Sequence, residues 1–553
     1  MRTGAVIADG QAHSIFHSSD PNHRFRAGGL INLQGEVDHE ALHRLLQLLA
    51  LRIEEASRTP EAKLENKNLP AGYTYLLQFI AHDMVDSVVS FGRQAGALRP
   101  GARNARGAAL MLDTLYGAGP DEASNVYGLS EATIQARGEL PRLHLRVGEP
   151  QVPGVNAATL YCPYRDLARA KAPPCDRLNG PAANLLTEAY LADPRNDTHA
   201  FMSQITIIFL LLHNQVLGLL AEVPPSDSPG EDAYRRFLCA RIVATMIYRN
   251  IVLKDLLPRI VDASVLGRYR SDNNVFFDGD KDVPIEFTHG AFRFGHAMVR
   301  NSYRVRDDNP LDTVLALDFS PARLPTSLPV PETWFVDWAR FFDTAKPANS
   351  GFTRNYSLRI GPHYPGALRD PAAFPRKTPR DTDGLANRDL ISAAYSGLLS
   401  VPALSAKMQS IFGEGVVRPY AQWKEPLRQW LTAGGSTGVQ WETDDLDRLV
   451  DDPPLPFFVL FEAEKAAQGM TLGPVGSIIV AETIYGALRR DTHGFEKPGA
   501  SLRAGIAEAV STFFPDRAHH AKAAVASISE IANMPALLEH LAGAGLFPNL
   551  MPA

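Results

Sequence analysis

Apolar residues recur every three or four positions over much of the chain, which is the period of an amphipathic α-helix. Three long segments show this pattern clearly: residues 38–56, 233–261 and 289–305. A fourth, residues 473–490, opens at Gly and Pro and ends in two arginines, which complement the negative end of a helix dipole. Alternating, strand-like patterns are few and short. The sequence therefore predicts a mainly α fold with long loops and few short strands.

The helical segments are separated by loop-rich stretches, but none of these has the composition of a long flexible linker. The length of 553 residues would allow three or four average domains. Because no boundary and no internal repeat is visible, we expect one large domain instead. Its predicted parts are an N-terminal extension over 1–69, a catalytic core over 70–490 and a C-terminal helical segment over 491–553.

The most apolar run, residues 205–223, is interrupted by His213, Asn214 and Gln215. It falls short of the ~20 uninterrupted apolar residues that a membrane span needs, so a buried core helix is expected.

The net charge of −6 comes from interspersed charges, which excludes a basic nucleic-acid-binding face. No signal-peptide pattern is visible, so a cytoplasmic location is expected, with secretion without a cleaved leader left open. Three cysteines do not make a disulfide framework, and the oligomeric state is not readable.

Polar residues interrupt the apolar segment "LLQFIAHDMVDS", residues 76–87. Gln78 and His82 are four residues apart and share one helix face, while Asp83 is rotated by roughly 100°. Buried polar groups cost free energy unless they find partners. Taken alone, the His–Asp pair has two open interpretations: it caps neighbouring loops, or it begins a metal-binding dyad that needs further His and Asp ligands.

Two more segments carry candidate chemistry. In "EFTHGAFRFGHAMVRNSYRV", residues 286–305, His289 and His296 are seven residues apart on one helix face. They could form a zinc pair, His296 alone could bind iron with Arg293 paired to an acid, or both could be core histidines. In "LADPRNDTHAFMSQITIIFLLLHN", residues 191–214, Arg195 is either solvated or reaches into a pocket to bind an anion or peroxide.

Taken together, these segments resemble the animal-type haem peroxidase superfamily, which includes myeloperoxidase, lactoperoxidase and the cyclooxygenases. "QFIAHD" resembles the distal pattern, "AFRFGHAMV" the proximal helix, and "DPRND" followed by "LLLHN" the segment of the distal arginine. "LANRDLISAAYSGLL" resembles the segment that carries the hydrogen-bond partner of the proximal histidine. The four occur in the family's order, and the likeness covers roughly residues 70–490.

The resemblance implies a role for each matching residue. His296 would ligate the haem iron and donate its other N–H to Asp389, where the family usually has asparagine, so we expect a lower reduction potential. His82 would transfer a proton of hydrogen peroxide, Arg195 would stabilise the charge that develops as the O–O bond breaks, and Gln78 would orient water or halide. The implied activity is peroxide reduction through a ferryl intermediate, with oxidation of a small organic donor or a halide, in keeping with a response to oxidative stress.

The same resemblance bears on the cofactors. Mammalian members esterify their haem through two acidic residues, and the matching positions here are Ala81 and Thr198, so we expect non-covalent haem b and a bacterial-type branch. Asp83 matches a calcium ligand of the family, but the loop that completes the site is kept only in outline around Asp113 and Tyr116. Calcium binding therefore stays open. Without it, Asp83 is expected to accept backbone N–H groups or to pair with an arginine.

Two alternatives remain beside the peroxidase. Fatty-acid dioxygenases and cyclooxygenases carry a radical tyrosine three residues before the proximal histidine, and here that position is Arg293, as in the peroxidases. This weakens a lipid-oxygenating interpretation. A haem-binding relative without turnover is the other alternative, and the intact set of His82, Arg195 and His296 argues against it. The expected partners are hydrogen peroxide and a small reducing substrate, with no nucleic acid and no transmembrane segment.

Overall fold

The protein is described here from a computed structural model. It describes residues 15, 18, 20–85, 110–129, 142–148, 166–171, 186–271, 283–306, 309–312, 334–344, 352–369, 384–434, 438–489 and 501–546.

Helices dominate these residues, and the prediction of a mainly α fold is confirmed. Those of seven or more residues are labelled α1 His39–Ala56, α2 Gly72–Met84, α3 Ala200–Ala221, α4 Pro229–Ile251, α5 Ala263–Arg270, α6 Leu385–Tyr395, α7 Val401–Phe412, α8 Lys424–Thr432, α9 Thr443–Asp451, α10 Leu455–Ala467, α11 Pro474–Arg489, α12 Leu502–Phe513, α13 Ala518–Ala524 and α14 Met534–Gly543. Shorter α-helical turns are Glu61–Leu64, Asp113–Tyr116, Leu257–Ile260 and Gly366–Arg369.

Tighter 3₁₀ turns are Pro21–His23, Ala27–Gly29, Ser124–Val126, Pro194–Asp197, Ala291–Met298, Trp338–Arg340, Tyr420–Trp423 and Pro515–Arg517, and the wider π turns are Val252–Leu256 and Glu286–Gly290.

The strands are short and form two-stranded antiparallel pairs at the edges of the helical body. They are β1 Glu65–Pro70, β2 Tyr127–Gly128, β3 His144–Leu145, β4 Val147–Gly148, β5 Asp166–Leu167, β6 Arg169–Lys171, β7 Leu186–Ala189, β8 Ser302–Arg306, β9 Asn309–Asp312 and β10 Tyr356–Leu358. β1 pairs with β10, and β2–β3, β4–β5, β6–β7 and β8–β9 pair in the order of the chain.

The most apolar helix, α3, lies in the core of the protein. By length and composition it could cross a membrane, but 72% of its most apolar window is buried within the protein. It packs against α2 and α4, and Phe209 stacks on Phe79 of α2 with ring centroids 4.7 Å apart. The interrupted apolar pattern predicted such a buried core helix. Burial against the neighbouring helices is sufficient to account for the hydrophobicity of α3.

The predicted helix over 233–261 is present, but its hydrogen-bond ladder changes before Pro258. α4 ends at Ile251, the π turn Val252–Leu256 follows, and a last α-helical turn runs from Leu257 to Ile260. A proline inside a helix has no N–H to donate and crowds the carbonyl four residues earlier. A widened turn accommodates that defect without ending the helix.

The prediction of one helix over 289–305 is wrong in its second half. Residues 286–298 are helical, as a π turn followed by a 3₁₀ segment that begins after the irregular backbone of Gly290 (φ −120°, ψ −99°). The chain then turns into β8, where Tyr303 and Val305 are buried while Ser302 and Arg304 are exposed. That alternation has a period of two and is the signature of a strand.

The N-terminal and C-terminal segments both bond to the body of the protein. Asp452 accepts the backbone N–H groups of Arg26 and Ala27, at 2.8 and 3.1 Å. In the C-terminal segment, Met534 donates its backbone N–H to Asp255 of the π turn, at 2.9 Å. The same Asp255 carboxylate accepts the hydroxyl of Tyr73 on α2. The boundaries at 69 and 490 remain predictions.

Candidate active site

The α2 helix carries the first group of site residues. Its first residue is Gly72, where a Cβ would lie 2.4 Å from the Phe342 ring, so only glycine lets the helix start this close to its neighbour. Near the other end, His82 is half-buried. The Nδ1–H of His82 donates to Oδ1 of Asn196 at 2.9 Å. A neutral imidazole carries one proton, so Nε2 is its unprotonated, basic nitrogen.

One turn earlier, Gln78 is oriented by a buried histidine. His199 caps the start of α3 by accepting the Met202 N–H on Nδ1, at 3.2 Å. Its Nε2–H is therefore the donor in the 3.0 Å hydrogen bond to Oε1 of Gln78. Burial, helped by the nearby His82, lowers the pKa of His199 to about 3, so this ring stays neutral. With its oxygen held by His199, the Gln78 amide has its NH₂ group left for other acceptors.

Arg195 is held from two sides at the start of the 3₁₀ turn Pro194–Asp197. Its Nε and Nη2 bond the carboxylate of Asp193, with the shortest distance 2.6 Å. Nη2 also donates to the carbonyl of His82 at 2.8 Å, and Nη1 to the carbonyl of Val85. These contacts use four of the five N–H groups of the guanidinium and leave one on Nη1. The arginine is therefore fixed to the C-terminal end of α2, beside His82.

The rest of the turn is anchored by a buried ion cluster. Asp197 accepts two hydrogen bonds from Arg169, with a distance of 2.9 Å to Nη2, and Asp166 binds the other edge of the same guanidinium at 3.3 Å. All three side chains are at most 5% exposed. Each polar residue of the turn thus has a different partner. Arg195 donates to backbone carbonyls at the end of α2, and Asn196 accepts the N–H of His82. Asp197 accepts hydrogen bonds from Arg169 on β6.

The second group surrounds His296, at the end of the 3₁₀ segment Ala291–Met298. Its Nδ1–H donates to Oδ2 of Asp389 on α6, at 2.6 Å. The Tyr364 hydroxyl donates to the same oxygen at 2.9 Å, and Nη1 of Arg293 lies 3.4 Å from Oδ1. Burial alone would raise the pKa of Asp389, but His296, Arg293 and Tyr364 outweigh it and lower the pKa. Asp389 is an ionised carboxylate that makes the His296 imidazole electron-rich.

The fold brings the two groups to adjacent elements, because α2 packs against the segment Ala291–Met298. His82, Gln78 and Arg195 therefore form one group on the α2 side. His296, Arg293 and Asp389 form the other, on the side of α6. Each group has one histidine whose Nδ1 proton is given to a neighbour, leaving Nε2 as the basic nitrogen.

Asp83, the residue matched to a calcium ligand, faces away from His82 and is 2% exposed. It accepts the backbone N–H groups of Leu112 and Thr114, at 3.1 and 3.5 Å. Asp113, in the loop that resembles the calcium site, instead lies 3.2 Å from Arg241. Across the described parts of the chain, no three His, Cys, Asp or Glu side chains are grouped to hold a metal ion. The contacts of Asp83 thus include these two backbone N–H groups and the Tyr248 hydroxyl.

His289 does not join His296 in a zinc pair. It is buried, its Nδ1 lies 2.8 Å from the Ser392 hydroxyl, and burial lowers its pKa to about 3. His296 is directed to Asp389 instead. The pattern of two histidines seven residues apart therefore comes from one core histidine and one site histidine.

Four residues of the site were missed by sequence reasoning: Asp193, Asn196, His199 and Tyr364. Asn196 and His199 contact residues 114 and 121 positions earlier, which no local spacing indicates. A local signal did exist, because "DPRND" is polar at four of five positions directly before a strongly apolar helix. Such a run is more polar than one helix cap requires.

Comparison with known proteins agrees with this geometry. The family model of the animal haem peroxidases matches residues 122–392, a range that contains Arg195, His296 and Asp389. The resemblance of this chain to the animal haem peroxidase superfamily is therefore confirmed. Its assignment to a bacterial-type branch stays a prediction.

Particular relatives cover different shares of the chain. Peroxidase mlt-7 of Caenorhabditis elegans is 33% identical over 116 residues, a match that spans 20% of this chain and 15% of that protein. Peroxidase A from Dictyostelium discoideum has a TM-score of 0.50 at 16% identity, covering 86% of this chain and 89% of that one. Fatty acid alpha-dioxygenase from Arabidopsis thaliana has a TM-score of 0.55 at 12% identity, covering 92% and 76%. At these identities the solved structures show a shared fold.

Proposed function

We propose that this protein is a haem-dependent peroxidase that reduces hydrogen peroxide and oxidises a small organic donor or a halide. The observation that carries the proposal is the pair of oriented histidines on adjacent elements. His296 is backed by a buried carboxylate, and His82 is backed by an amide oxygen and lies beside an anchored arginine. One histidine is suited to bind iron and the other to move a proton.

The residues present fit a haem group. With Nδ1–H given to Asp389, His296 offers a lone pair on Nε2, which would bind the haem iron. On the other side, Nδ2 of Asn196 is a buried donor without a partner among the described residues. A bound ligand or ordered water would satisfy that donor. When bound, haem supplies the electrons that reduce peroxide and then takes them back from the donor substrate.

The chain's own contribution is to hold and move protons. Nε2 of His82 accepts a proton from one oxygen of hydrogen peroxide and returns it to the other oxygen as the O–O bond breaks, giving water. Asn196 holds the imidazole in the tautomer that this transfer needs. The remaining Nη1–H of Arg195 and the NH₂ group of Gln78 are the donors available to the departing oxygen.

The site supports a peroxidase over a fatty-acid dioxygenase. Arg293 occupies the position three residues before His296, and its guanidinium contacts Asp389 and the carbonyl of Thr288. A guanidinium has no hydroxyl hydrogen to give up, so it cannot replace a radical tyrosine there. The dioxygenase from Arabidopsis is similar in fold at 12% identity, and a likeness at that identity shows the fold alone.

We propose, from the sequence pattern, that the protein is cytoplasmic. We also propose that the haem is bound without covalent links. Ala81 has no carboxyl group, and the hydroxyl of Thr198 donates to the carbonyl of Arg195. Asp197, the adjacent acid, is fully engaged by Arg169. No carboxylate at these positions is available for an ester. Acidified butanone should therefore extract all the haem, and a haem fraction that stays with the protein would contradict this.

The test of the proposed function is the absorption spectrum of the haem-loaded protein before and after stoichiometric hydrogen peroxide. A Soret band that shifts with peroxide and returns on addition of a phenolic donor supports peroxidase turnover. The variant His82→Gln keeps a hydrogen-bonding side chain but loses the base, so its reaction with peroxide should slow by about 10²–10⁴-fold. A Soret band that ignores peroxide, or a His82→Gln rate equal to that of the native protein, would overturn the proposal.

A further inference from the structure

A second cluster of ligand-type side chains lies at the junction of α1 and α6, apart from the residues assigned above. His39 and His43 are four residues apart and lie on one face of α1. Both contact the hydroxyl of Tyr395, the last residue of α6: Nδ1 of His39 at 2.8 Å and Nε2 of His43 at 3.0 Å. Two imidazole nitrogens therefore lie within hydrogen-bond distance of one phenol oxygen. We propose that this trio, His39, His43 and Tyr395, is a binding site for a divalent transition metal, with Cu²⁺ preferred.

The two distances from the phenol oxygen to the imidazole nitrogens match edges of a coordination sphere. Metal–nitrogen bonds of about 2.1 Å place two ligand atoms about 3.0 Å apart at a right angle, and about 3.4 Å apart at a tetrahedral angle. The observed 2.8 and 3.0 Å agree with the right angle. Square-planar and tetragonal geometry with nitrogen and oxygen ligands is typical of Cu²⁺ and Ni²⁺, and Cu²⁺ binds most tightly in the divalent series.

The charges around the trio favour a cation. Tyr395 lies at the C-terminal end of α6, where the helix dipole is negative. His39 lies at the positive end of α1, but the acidic residues Asp38 and Glu40 flank it there. The nearby arginine, Arg44, is already paired with Asp445 at 2.6 Å. No uncompensated positive charge therefore opposes the metal from these neighbours.

Protons must move for the metal to bind. The phenol has one hydrogen, so it donates to one imidazole and accepts an N–H from the other. The second imidazole must shift its proton to its outer nitrogen, and the phenol must release its own to solvent. Burial raises the pKa of Tyr395 to about 12. Binding should therefore release a proton and strengthen as pH rises.

The spacing of the two histidines is that of the H-E-x-x-H zinc motif, but we infer binding and not hydrolysis. In that motif the intervening glutamate acts as a base at the metal. Residues 39–43, HEALH, match this motif in full, with Glu40 at the position of the base, and Glu40 is exposed in this structure. The third ligand is a phenol from another helix, which would instead fasten α1 to α6. The fastened helix is the one that carries Asp389.

The test is calorimetric titration of the haem-loaded protein with Cu²⁺ alone at neutral pH, with the copper signal followed by electron paramagnetic resonance. The native protein should bind one Cu²⁺ tightly and show coupling to two nitrogens. His39→Ala and His43→Ala should each weaken binding at least ten-fold. Tyr395→Phe should keep the nitrogen coupling but lose the phenolate-to-copper absorption band.

The matched control is the double variant His519→Ala and His520→Ala, which removes an exposed histidine pair elsewhere on the surface. It should bind the tight copper ion as the native protein does. Circular dichroism of every variant separates loss of ligand from loss of fold. The proposal would be overturned if a folded His39→Ala/His43→Ala double variant bound Cu²⁺ with the affinity and stoichiometry of the native protein. It would also be overturned if the His519→Ala/His520→Ala variant lost the tight copper binding.

Discussion

Replacing Asp389 or Tyr364 should move the reduction potential of the bound iron in opposite directions. Asp389→Asn removes the negative charge that accepts the His296 N–H at 2.6 Å. The imidazole then becomes a poorer electron donor, the ferric state loses stabilisation, and the potential rises. Tyr364→Phe removes a hydroxyl that shares the same carboxylate oxygen at 2.9 Å. More of the carboxylate charge then falls on His296, and the potential drops.

The size of the shift follows from the two kinds of hydrogen bond. A hydrogen bond to a charged acceptor contributes about 1.5–3 kcal/mol and a neutral one about 1 kcal/mol. Asp389→Asn exchanges one for the other and so weakens the interaction by about 0.5–2 kcal/mol. For one electron, 1.4 kcal/mol corresponds to about 59 mV, so we expect a rise of about 20–85 mV. The loss in Tyr364→Phe should be about half of that, because the carboxylate keeps its partners His296 and Arg293.

The assay is a spectroelectrochemical titration of the haem-loaded variants. Ser392→Ala is the matched control, because Ser392 lies on the same helix as Asp389 but contacts His289. Its potential should equal that of the native protein. The reasoning is refuted if Asp389→Asn lowers the potential or leaves it unchanged, or if Tyr364→Phe shifts it in the same direction as Asp389→Asn.

Three other predictions follow from buried charges. Asp193→Asn frees Arg195 from its carboxylate partner and should slow the reaction with peroxide about ten-fold or more. Asp197→Asn, on the other side of the same turn, should lower the free energy of unfolding by about 3–5 kcal/mol with a smaller effect on that rate. Stopped-flow kinetics and urea unfolding of both variants check that one variant mainly affects the rate and the other mainly the stability. Burial lowers the pKa of His213 from 6.5 to about 3, so the folded state resists a proton that the unfolded state accepts, and stability falls as pH drops through this window. His213→Gln should reduce that slope by up to about 1.4 kcal/mol per pH unit in unfolding at a series of pH values, and an unchanged slope would contradict it. Asp83→Ala removes the acceptor of two backbone N–H groups and should cost about 2 kcal/mol. Added calcium should leave the melting temperature of the native protein unchanged, and a rise with calcium that Asp83→Ala abolishes would mean that Asp83 binds the ion.

Local spacing was sufficient to place Gln78 and His82 on one helix face, whereas Arg195 was paired with them only by the resemblance to known haem peroxidases. Gln78 and His82 are four residues apart, and a helix places such residues on one face whatever surrounds it. The α6 side is different, because His296 and Asp389 are 93 residues apart and no periodicity relates them. Only the resemblance to known haem peroxidases paired them. Tyr364 had no such precedent, and its role depends on how three separate elements pack.

The error over residues 289–305 has a physical cause. The 3₁₀ segment and the strand β8 both bury residues at spacings that overlap those of an α-helix over a short window. The alternation of exposed Ser302 and Arg304 with buried Tyr303 and Val305 was visible, but it covers only four residues. Backbone that changes from π to 3₁₀ to strand within 21 residues is set by tertiary contacts, such as the bond of Arg293 to the Thr288 carbonyl.

The shared carboxylate of Asp255 has a consequence for the timing of biosynthesis. It accepts the Tyr73 hydroxyl from α2 and the backbone N–H of Met534, which lies 279 residues further along the chain. At ribosomal rates of about 5–20 residues per second, roughly 15–55 seconds pass between the synthesis of Asp255 and that of Met534. During that interval a buried acid next to α2 lacks one of its donors. The helix that carries His82 is therefore completed late, and we expect the nascent chain to become competent for its cofactor only after its last helices have left the ribosome.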